Sequence, residues 1–477
     1  MRITERINSS KHFFIGIFIL ILLISIIRAQ LFSTVSNNMI KIRRTHDERL
    51  KDEDISNKEI DSTSISRSLT QHQSNFTSKR IDFTLDKHPD ASFYITDVPE
   101  TIEHLAVIDL NNDSSPDVVA SSTTTVYFLN GITGEVLYTS ETFSMINSQV
   151  VSDFSNDSVP DVAIGTIFGG IYFLDGTNGN TIYNNSNVGN ITALTAGDWT
   201  NDSIPDVAVG LENGTIFFLN GTDGNILYKN NTGAYIHTFT VADFNDDHFS
   251  DVAAGTSSGI VILNGATGEI LHNIGGLNDI HALVVADFNS DTIPDLAGGG
   301  SSGYVSFVNG LTGGILYNPD LGFSITTLTV GEWSLDSIPD VIVGGDNDTV
   351  IFLNGATGNL LDTSKVAEMV KTLVLCDWNN DSTVDVVVGT ITGGIYYIDG
   401  NTRKIFHTTL TIGEVGILKV SDFDKDKIDD IITAGLRNIQ IIFSDVTAPI
   451  FNHVLLPEVP ALTGVAARHL PGNGSLR

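Results

Sequence analysis

Asp198, Asp202 and Asp206 fall at positions 1, 5 and 9 of the stretch DWTNDSIPDVAVG, with Thr200 at position 3. Four oxygen-bearing side chains at this spacing can surround a hard divalent cation. Calcium takes six to eight oxygens, often from alternate side chains of one tight loop plus the carbonyl of position 7. Left alone, three carboxylates so close together repel and raise one another's pKa values. The segment returns seven more times, and positions 1, 3, 5 and 9 are always oxygen donors. They are Asp109, Asn111, Asp113 and Asp117 in the first copy and Asp153, Ser155, Asp157 and Asp161 in the second. The fourth has Asp243, Asn245, Asp247 and Asp251, and the fifth Asp287, Asn289, Asp291 and Asp295. The sixth has Glu332, Ser334, Asp336 and Asp340, the seventh Asp377, Asn379, Asp381 and Asp385, and the eighth Asp422, Asp424, Asp426 and Asp430.

For a single loop, an acidic β-turn whose Asp and Asn side chains cap backbone N–H groups is an equal alternative. Eight loops in phase favour the cation, and the expectation is up to eight structural Ca²⁺ ions. The eighth loop, with four carboxylates, is expected to bind most tightly. The sixth is expected to bind most weakly, because Glu332, Ser334 and Leu335 replace better or more polar residues. An EF-hand is excluded, since position 12 of the third copy is Val209 inside an apolar run rather than a bidentate Glu. Position 6, where calcium loops usually need glycine, holds Ser114, Ser158, Ser203, His248, Thr292, Ser337, Ser382 and Lys427. The backbone there either carries strain or avoids the left-handed region.

The elements that position these loops repeat with them, at intervals of 44 or 45 residues. Between loops stands a second motif, such as FLNGITGEVLY (128–138), FLNGTDGNILY (218–228) or FLNGATGNLLD (352–362). Each period then parses as strand, acidic loop, strand, strand, Gly-containing turn and strand, a four-stranded antiparallel meander. That is the length and content of a propeller blade. The small residues of VAIG, VAVG and VVVG in the second strands suit blades converging toward an axis. Eight acidic loops but seven complete hairpins leave the last blade one strand short, exposing an unpaired edge that natural sheets avoid. ASFYIT (91–96) is the free strand-like segment, so the expected fold is an all-β, eight-bladed propeller spanning 91–446 and closed by this N-terminal strand. An open ring, or seven blades with a stray half-blade, is the alternative.

The acidic loop followed by PDVAVG and a second hairpin resembles the FG-GAP or VCBS-type repeats of integrin-α-like propellers, over residues 91–446. The resemblance implies structural Ca²⁺ on one rim, held by positions 1, 3, 5 and 9, and partners docking on the opposite face. The missing position-6 glycine departs from that pattern. The FLNGATGEILY-like hairpin also resembles quinoprotein-type propeller repeats, which commonly have eight blades.

Acidic residues outnumber basic ones 57 to 25, and a net charge of −32 excludes a nucleic-acid partner, which needs clustered Lys and Arg. Arg2, Arg6 and Lys11 precede the uncharged run FFIGIFILILLISII (13–27), which suits a signal peptide or an uncleaved signal anchor within 1–29. Residues 30–90 read as a disordered polar stalk, and 447–477 as a tail resembling the start of an Ig-like domain. Cys376, the only cysteine, lies in an apolar run and reads as a small buried residue.

Together these features suggest a non-catalytic, calcium-binding recognition or adhesion module at the cell surface, or secreted if the N-terminal segment is cleaved. Its partner would be a protein or glycan on the rim opposite the metals, in loops carrying Phe168, Tyr235 and Phe323. A quinone-dependent dehydrogenase is the first alternative and a glycan-binding or glycan-processing propeller the second. Against the former, Trp199, Trp333 and Trp378 all sit at loop position 2, where other copies have Phe or Leu, and read as packing residues. His237, His272 and His281 share no local metal spacing and read as structural.

Overall fold

β-branched and aromatic runs of four to seven residues, cut by Asn, Asp and Gly, build every repeat. In the computed structural model the third repeat forms strands Ile191–Gly197, Asp206–Leu211, Thr215–Leu219 and Ile226–Asn231. They pair antiparallel in that order, with Ala208 opposite Phe218 and Phe218 opposite Tyr228. Gly224, at φ 69°, turns the outer hairpin. The structure describes residues 78–82, 92–186, 188–411, 413–435 and 438–444, and every regular element among them is a strand. The expected signal segment, nearly all of the stalk and the tail lie outside the described residues.

Eight antiparallel sheets result, seven of four strands and one of five. The eighth blade takes Ile417–Ser421, Asp430–Gly435 and Asn438–Ile442 from the end of the repeat array, then Ser92–Asp97 from its beginning. Thr96 pairs with Ile439 and Phe93 with Ile442, so the N-terminal segment expected to close the ring does close it. A further strand, Ser78–Asp82, pairs outside it, placing Ser78 opposite Thr96. This strand falls within the segment read as stalk.

The first strand of each blade lines the axis, because first strands of successive blades pack on one another while fourth strands lie outermost. Second strands sit one layer further out and are buried along their length, as in Asp206–Leu211 and Asp251–Thr256. Their small residues therefore serve the seam between blades and not the axis itself. A Cβ on Gly210 would lie 2.7 Å from Cγ2 of Ile236, and one on Gly255 would lie 3.0 Å from Cγ2 of Ile280. Each glycine leaves room for a buried aliphatic side chain that enters from the next blade.

Eight apolar clusters fill the eight seams. One joins blades 3 and 4 through Phe218, Ile236, Val252 and Leu263, and another joins blades 8 and 1 through Leu105, Leu129, Phe423 and Ile432. Cys376 is buried in the seam between blades 7 and 8, as its apolar setting suggested.

Candidate functional site

All eight acidic loops share one backbone path. Position 4 is left-handed in every copy, from Asn380 at φ 55° to Lys425 at 66°, and so is position 6, from Ser114 at 65° to Ser158 and Lys427 at 74°. The missing glycine has therefore not moved the chain out of the left-handed region, and the loops carry that conformation with ordinary side chains. Position 1 supports the turn. In the third loop Asp198 Oδ1 accepts from the N–H of Asp202 at 3.2 Å and Oδ2 from that of Ser203 at 2.9 Å. The same two bonds recur from Asp109, Asp153, Asp243, Asp287, Asp377 and Asp422. Position 5 accepts from the N–H of position 7, as in Asp202 to Ile204 at 2.9 Å.

Position 9 has a different station. Asp117, Asp161, Asp206, Asp251, Asp295, Asp340, Asp385 and Asp430 are almost fully buried at the head of each second strand. Asp206 Oδ2 accepts from the N–H groups of Trp199 and Thr200, and Oδ1 accepts from Gly221 in the outer hairpin at 2.9 Å. Each of these aspartates thus ties its acidic loop to the turn between strands three and four, with Ser444 replacing the glycine in blade 8. Burial raises all eight above the ordinary carboxyl range, Asp251, Asp295 and Asp385 to about 6 and Asp430 to about 7. Neighbouring loop carboxylates push the same way. By contrast, donated hydrogen bonds hold three position-5 carboxyls below the ordinary value: from Ser115 to Asp113, Asn354 to Asp336 and Thr383 to Asp381.

The donor set suits a hard cation. A carboxylate accepts about four bonds and those named leave lone pairs on positions 1 and 5. Oxygens bound to one calcium at 2.3–2.6 Å must lie within about 5 Å of one another. In the eighth loop Asp422, Asp424 and Asp426 each bring an oxygen within 4.8 Å of the other two. In the third loop Thr200 Oγ1, at position 3, is buried without a hydrogen-bond partner, which a metal ligand bond would supply.

The sixth loop departs from the pattern. Glu332 Oε1 accepts from Ser334 and Leu335 at 2.9 and 2.6 Å instead of from positions 5 and 6, and Leu335 is 92% exposed at φ 64°. In the fourth loop Asp246 and His248, at positions 4 and 6, join Asp243 in a second cluster of ligand atoms. Neither was among the expected ligands, although an acid and a histidine flanking Asp247 stand in plain view in the sequence. The outer hairpins also contribute: Asn264, Asn309 and Asn354 donate to the position-5 carboxylates Asp247, Asp291 and Asp336. Their signal was the recurring Asn of the NG turns.

The same hairpins latch the blades. Tyr138, Tyr183 and Tyr228 donate to Gly176, Gly221 and Gly265 of the following blade. His272 takes this place at 2.9 Å from the carbonyl of Leu311, in keeping with a structural histidine. Thr96 of the closing strand donates to Gly134 at 2.6 Å, completing the circuit. The tryptophans pack as expected, Trp199 edge-on to Phe218 and Trp333 to Phe352, with Trp378 tilted against Tyr397.

Acidic loops and outer hairpins occupy one face, so the connections between strands two and three, and between blades, form the other. Phe168 is 78% exposed there and Tyr235 partly so, whereas Phe323 packs against the seam of blades 5 and 6. His237 and His281, 44 residues apart in the chain, come together with ring centroids 4.3 Å apart. Burial, and then His281, lower the pKa of His237 against the opposing pull of Asp279. Near the axis, the first strands of blades 8, 1 and 2 border an open cleft of about 430 Å³ lined by His104, Gln149 and Lys419. Burial pushes His104 down to about 4.

No family model matches the sequence, and no curated protein matches it. Solved structures do. Sqt1 of Saccharomyces cerevisiae is similar with a TM-score of 0.60 at 16% identity, over 73% of this chain and 97% of its own. The computationally designed Ika8 protein is similar with a TM-score of 0.58 at 19% identity, over 73% of this chain and 97% of its own. BamB of Moraxella catarrhalis is similar with a TM-score of 0.51 at 17% identity, over 77% of this chain and 99% of its own. At these identities the likeness is one of fold: an eight-bladed β-propeller.

Proposed function

We propose that the chain is a non-catalytic, calcium-stabilised propeller of the integrin-α-like FG-GAP or VCBS type, serving recognition or adhesion outside the cell. One observation carries the metal reading: eight loops keep the same doubly left-handed path without glycine, and in the eighth the oxygens of positions 1, 3 and 5 converge. Left-handed backbone costs an ordinary residue roughly 1–2 kcal/mol. Sixteen residues share it, eleven of them neither Asn nor Asp, and a bound cation in each loop supplies a reason. Positions 1, 3 and 5 would hold the ion with the carbonyl of position 7, and the ion would neutralise charge and fasten loop to hairpin. Position 9 serves the same fastening through its N–H partners.

The N-terminal apolar run would carry the propeller across a membrane and either anchor it or be removed. Among the described residues no helix is long and apolar enough to cross a membrane. A protein or glycan ligand would meet the face opposite the loops, where Phe168 and Tyr235 are exposed. The test is metal analysis of the purified chain with thermal unfolding in calcium and in chelator. Several calcium ions per chain are expected, with a melting temperature lowered in chelator by about 10 °C or more. One ion or fewer with an unchanged melting temperature would overturn the reading.

A further inference from the structure

On the face opposite the acidic loops, two histidines of adjacent blades meet at one seam, between blades 4 and 5. Each first strand begins with a buried aliphatic residue, or in blades 5 and 8 follows one by two positions: Ile102, Ile146, Ile191, Ile236, Ile280, Ile325, Val370 and Val415. The next residue is Glu103, Asn147, Thr192, His237, His281, Thr326, Lys371 or Gly416. In three of the other blades this position ties one blade to the next. Asn147 donates to the carbonyl of Ile191 at 2.9 Å, Thr326 to that of Val370 at 2.7 Å, and Lys371 pairs with Glu414 at 3.3 Å. In blades 4 and 5 the position is histidine twice running. His237 faces Asp279 at 3.3 Å, in the place where Lys371 faces Glu414, and His281 joins them as a third group.

We infer that His237, Asp279 and His281 form a binding site for a borderline divalent transition metal, zinc by preference, on the face away from the calcium loops. One ligand atom from each residue lies within 4.8 Å of the other two. Tetrahedral zinc with bonds of 2.0–2.2 Å spaces its donors at roughly 3.3–3.5 Å. The His237 Nε2 to Asp279 Oδ1 distance already meets that spacing. His281 is the exposed member.

The remaining parts of the site are fixed. Ile236 and Ile280, both fully buried, seat the two histidine backbones. The N–H of His281 donates to Gly299 at 2.9 Å and that of Ile280 to Thr256 at 3.0 Å. Asp279 Oδ2 accepts from Ser301 Oγ at 3.0 Å, an outer-shell bond that orients the ligating carboxylate. Gly300 lets the chain pass close to Asp279, since a Cβ there would lie 1.8 Å from the Asp279 carbonyl oxygen. Tyr235 lies against His237 with ring centroids 4.7 Å apart, closing one side.

Two imidazoles and one carboxylate select zinc, nickel or copper over calcium, which prefers oxygen alone. Three protein ligands leave a coordination position for water or an incoming donor group. A plain cross-blade tie would need only His237 and Asp279, as the Lys371 and Glu414 pair does, so the second histidine is the informative residue.

The test uses the full chain saturated with calcium, so that the acidic loops are filled, and titrates zinc by calorimetry and cobalt by visible absorption. One zinc equivalent is expected in the wild type, with binding weakened by about tenfold or more in His281→Ala and in Asp279→Asn. Lys371→Ala and His248→Ala should leave it unchanged. Cobalt should show an intense d–d band, typical of low coordination number, that His281→Ala abolishes. Equal zinc isotherms for the wild type and His281→Ala, no zinc binding to the wild type, or loss of zinc only in His248→Ala would each overturn the assignment. His281 is exposed, and an unchanged melting temperature in its variant confirms that the fold is intact. Calcium content is read separately, so failure of this site and failure of the loop reading are distinguishable.

Discussion

On one face of the propeller the eight acidic loops hold their left-handed residues at the same two positions and bury the same aspartate. On the other, the residue after the buried aliphatic changes from blade to blade, between amide, hydroxyl, ammonium and imidazole. A feature present in every blade serves what every blade needs, which is attachment of loop to hairpin and of blade to blade. A feature confined to one seam serves something the ring does not need for its own stability. The His237, Asp279 and His281 seam is of the second kind, and Asp206 with its seven counterparts is of the first.

The contrast breaks most readily at position 9. Asp206→Ala leaves the N–H groups of Trp199, Thr200 and Gly221 without their acceptor, and should cost about 3 kcal/mol in chemical denaturation. Asp202→Asn, at an exposed position of the same loop, should change stability in chelator by no more than about 0.5 kcal/mol. Equal losses would erase the distinction between tie and ligand. At the other end of that strand, Gly210→Ala forces a methyl against Ile236 and Phe239 and should cost about 2 kcal/mol, read by thermal melting. A neutral substitution would show that the seam is looser than its distances imply.

Differences within the acidic face should be smaller. Asp426→Asn in the eighth loop should remove a tight calcium site from the calorimetric isotherm, whereas Asp336→Asn in the sixth should barely alter it. Leu335→Gly relieves a left-handed leucine and should stabilise the apo chain by about 1 kcal/mol; destabilisation would mean that the leucine packs usefully.

A pH-dependent effect belongs to His104. Folded, its pKa is about 4, while unfolded it returns to 6.5, so the unfolded chain binds the extra proton between those values. Stability that His104 supplies when neutral is complete above pH 6.5 and falls as pH drops toward 4. His104→Asn should flatten that part of the stability profile, and an unaltered slope would refute the assignment.

Much of this architecture is legible in the sequence alone. A 44- or 45-residue period with two motifs per turn of the repeat leaves little freedom in fold, and a count of strands locates the closing segment. Ser78–Asp82 is not legible, because SKRID is a polar outer strand without apolar alternation. Nor is the split between positions 5 and 9: both are aspartate in all eight loops, and only burial separates the exposed carboxylate from the buried one. His237 and His281 escape a search for local metal spacing, because the fold brings together equivalent positions of adjacent repeats. Their shared place in the repeat, directly after the buried aliphatic, is the signal that pairs them.

The closing strand also sets an order of events during synthesis. Thr96 must wait for Ile439, near the far end of the repeat array, before its sheet exists. At about 5–20 residues per second the wait is tens of seconds, during which the N-terminal strand presents an open edge to every neighbouring chain. Ring closure is thus a long-range contact with a slow loop to shut. A ribosome stalled before the eighth repeat would release a protein with seven finished blades and two adhesive edges.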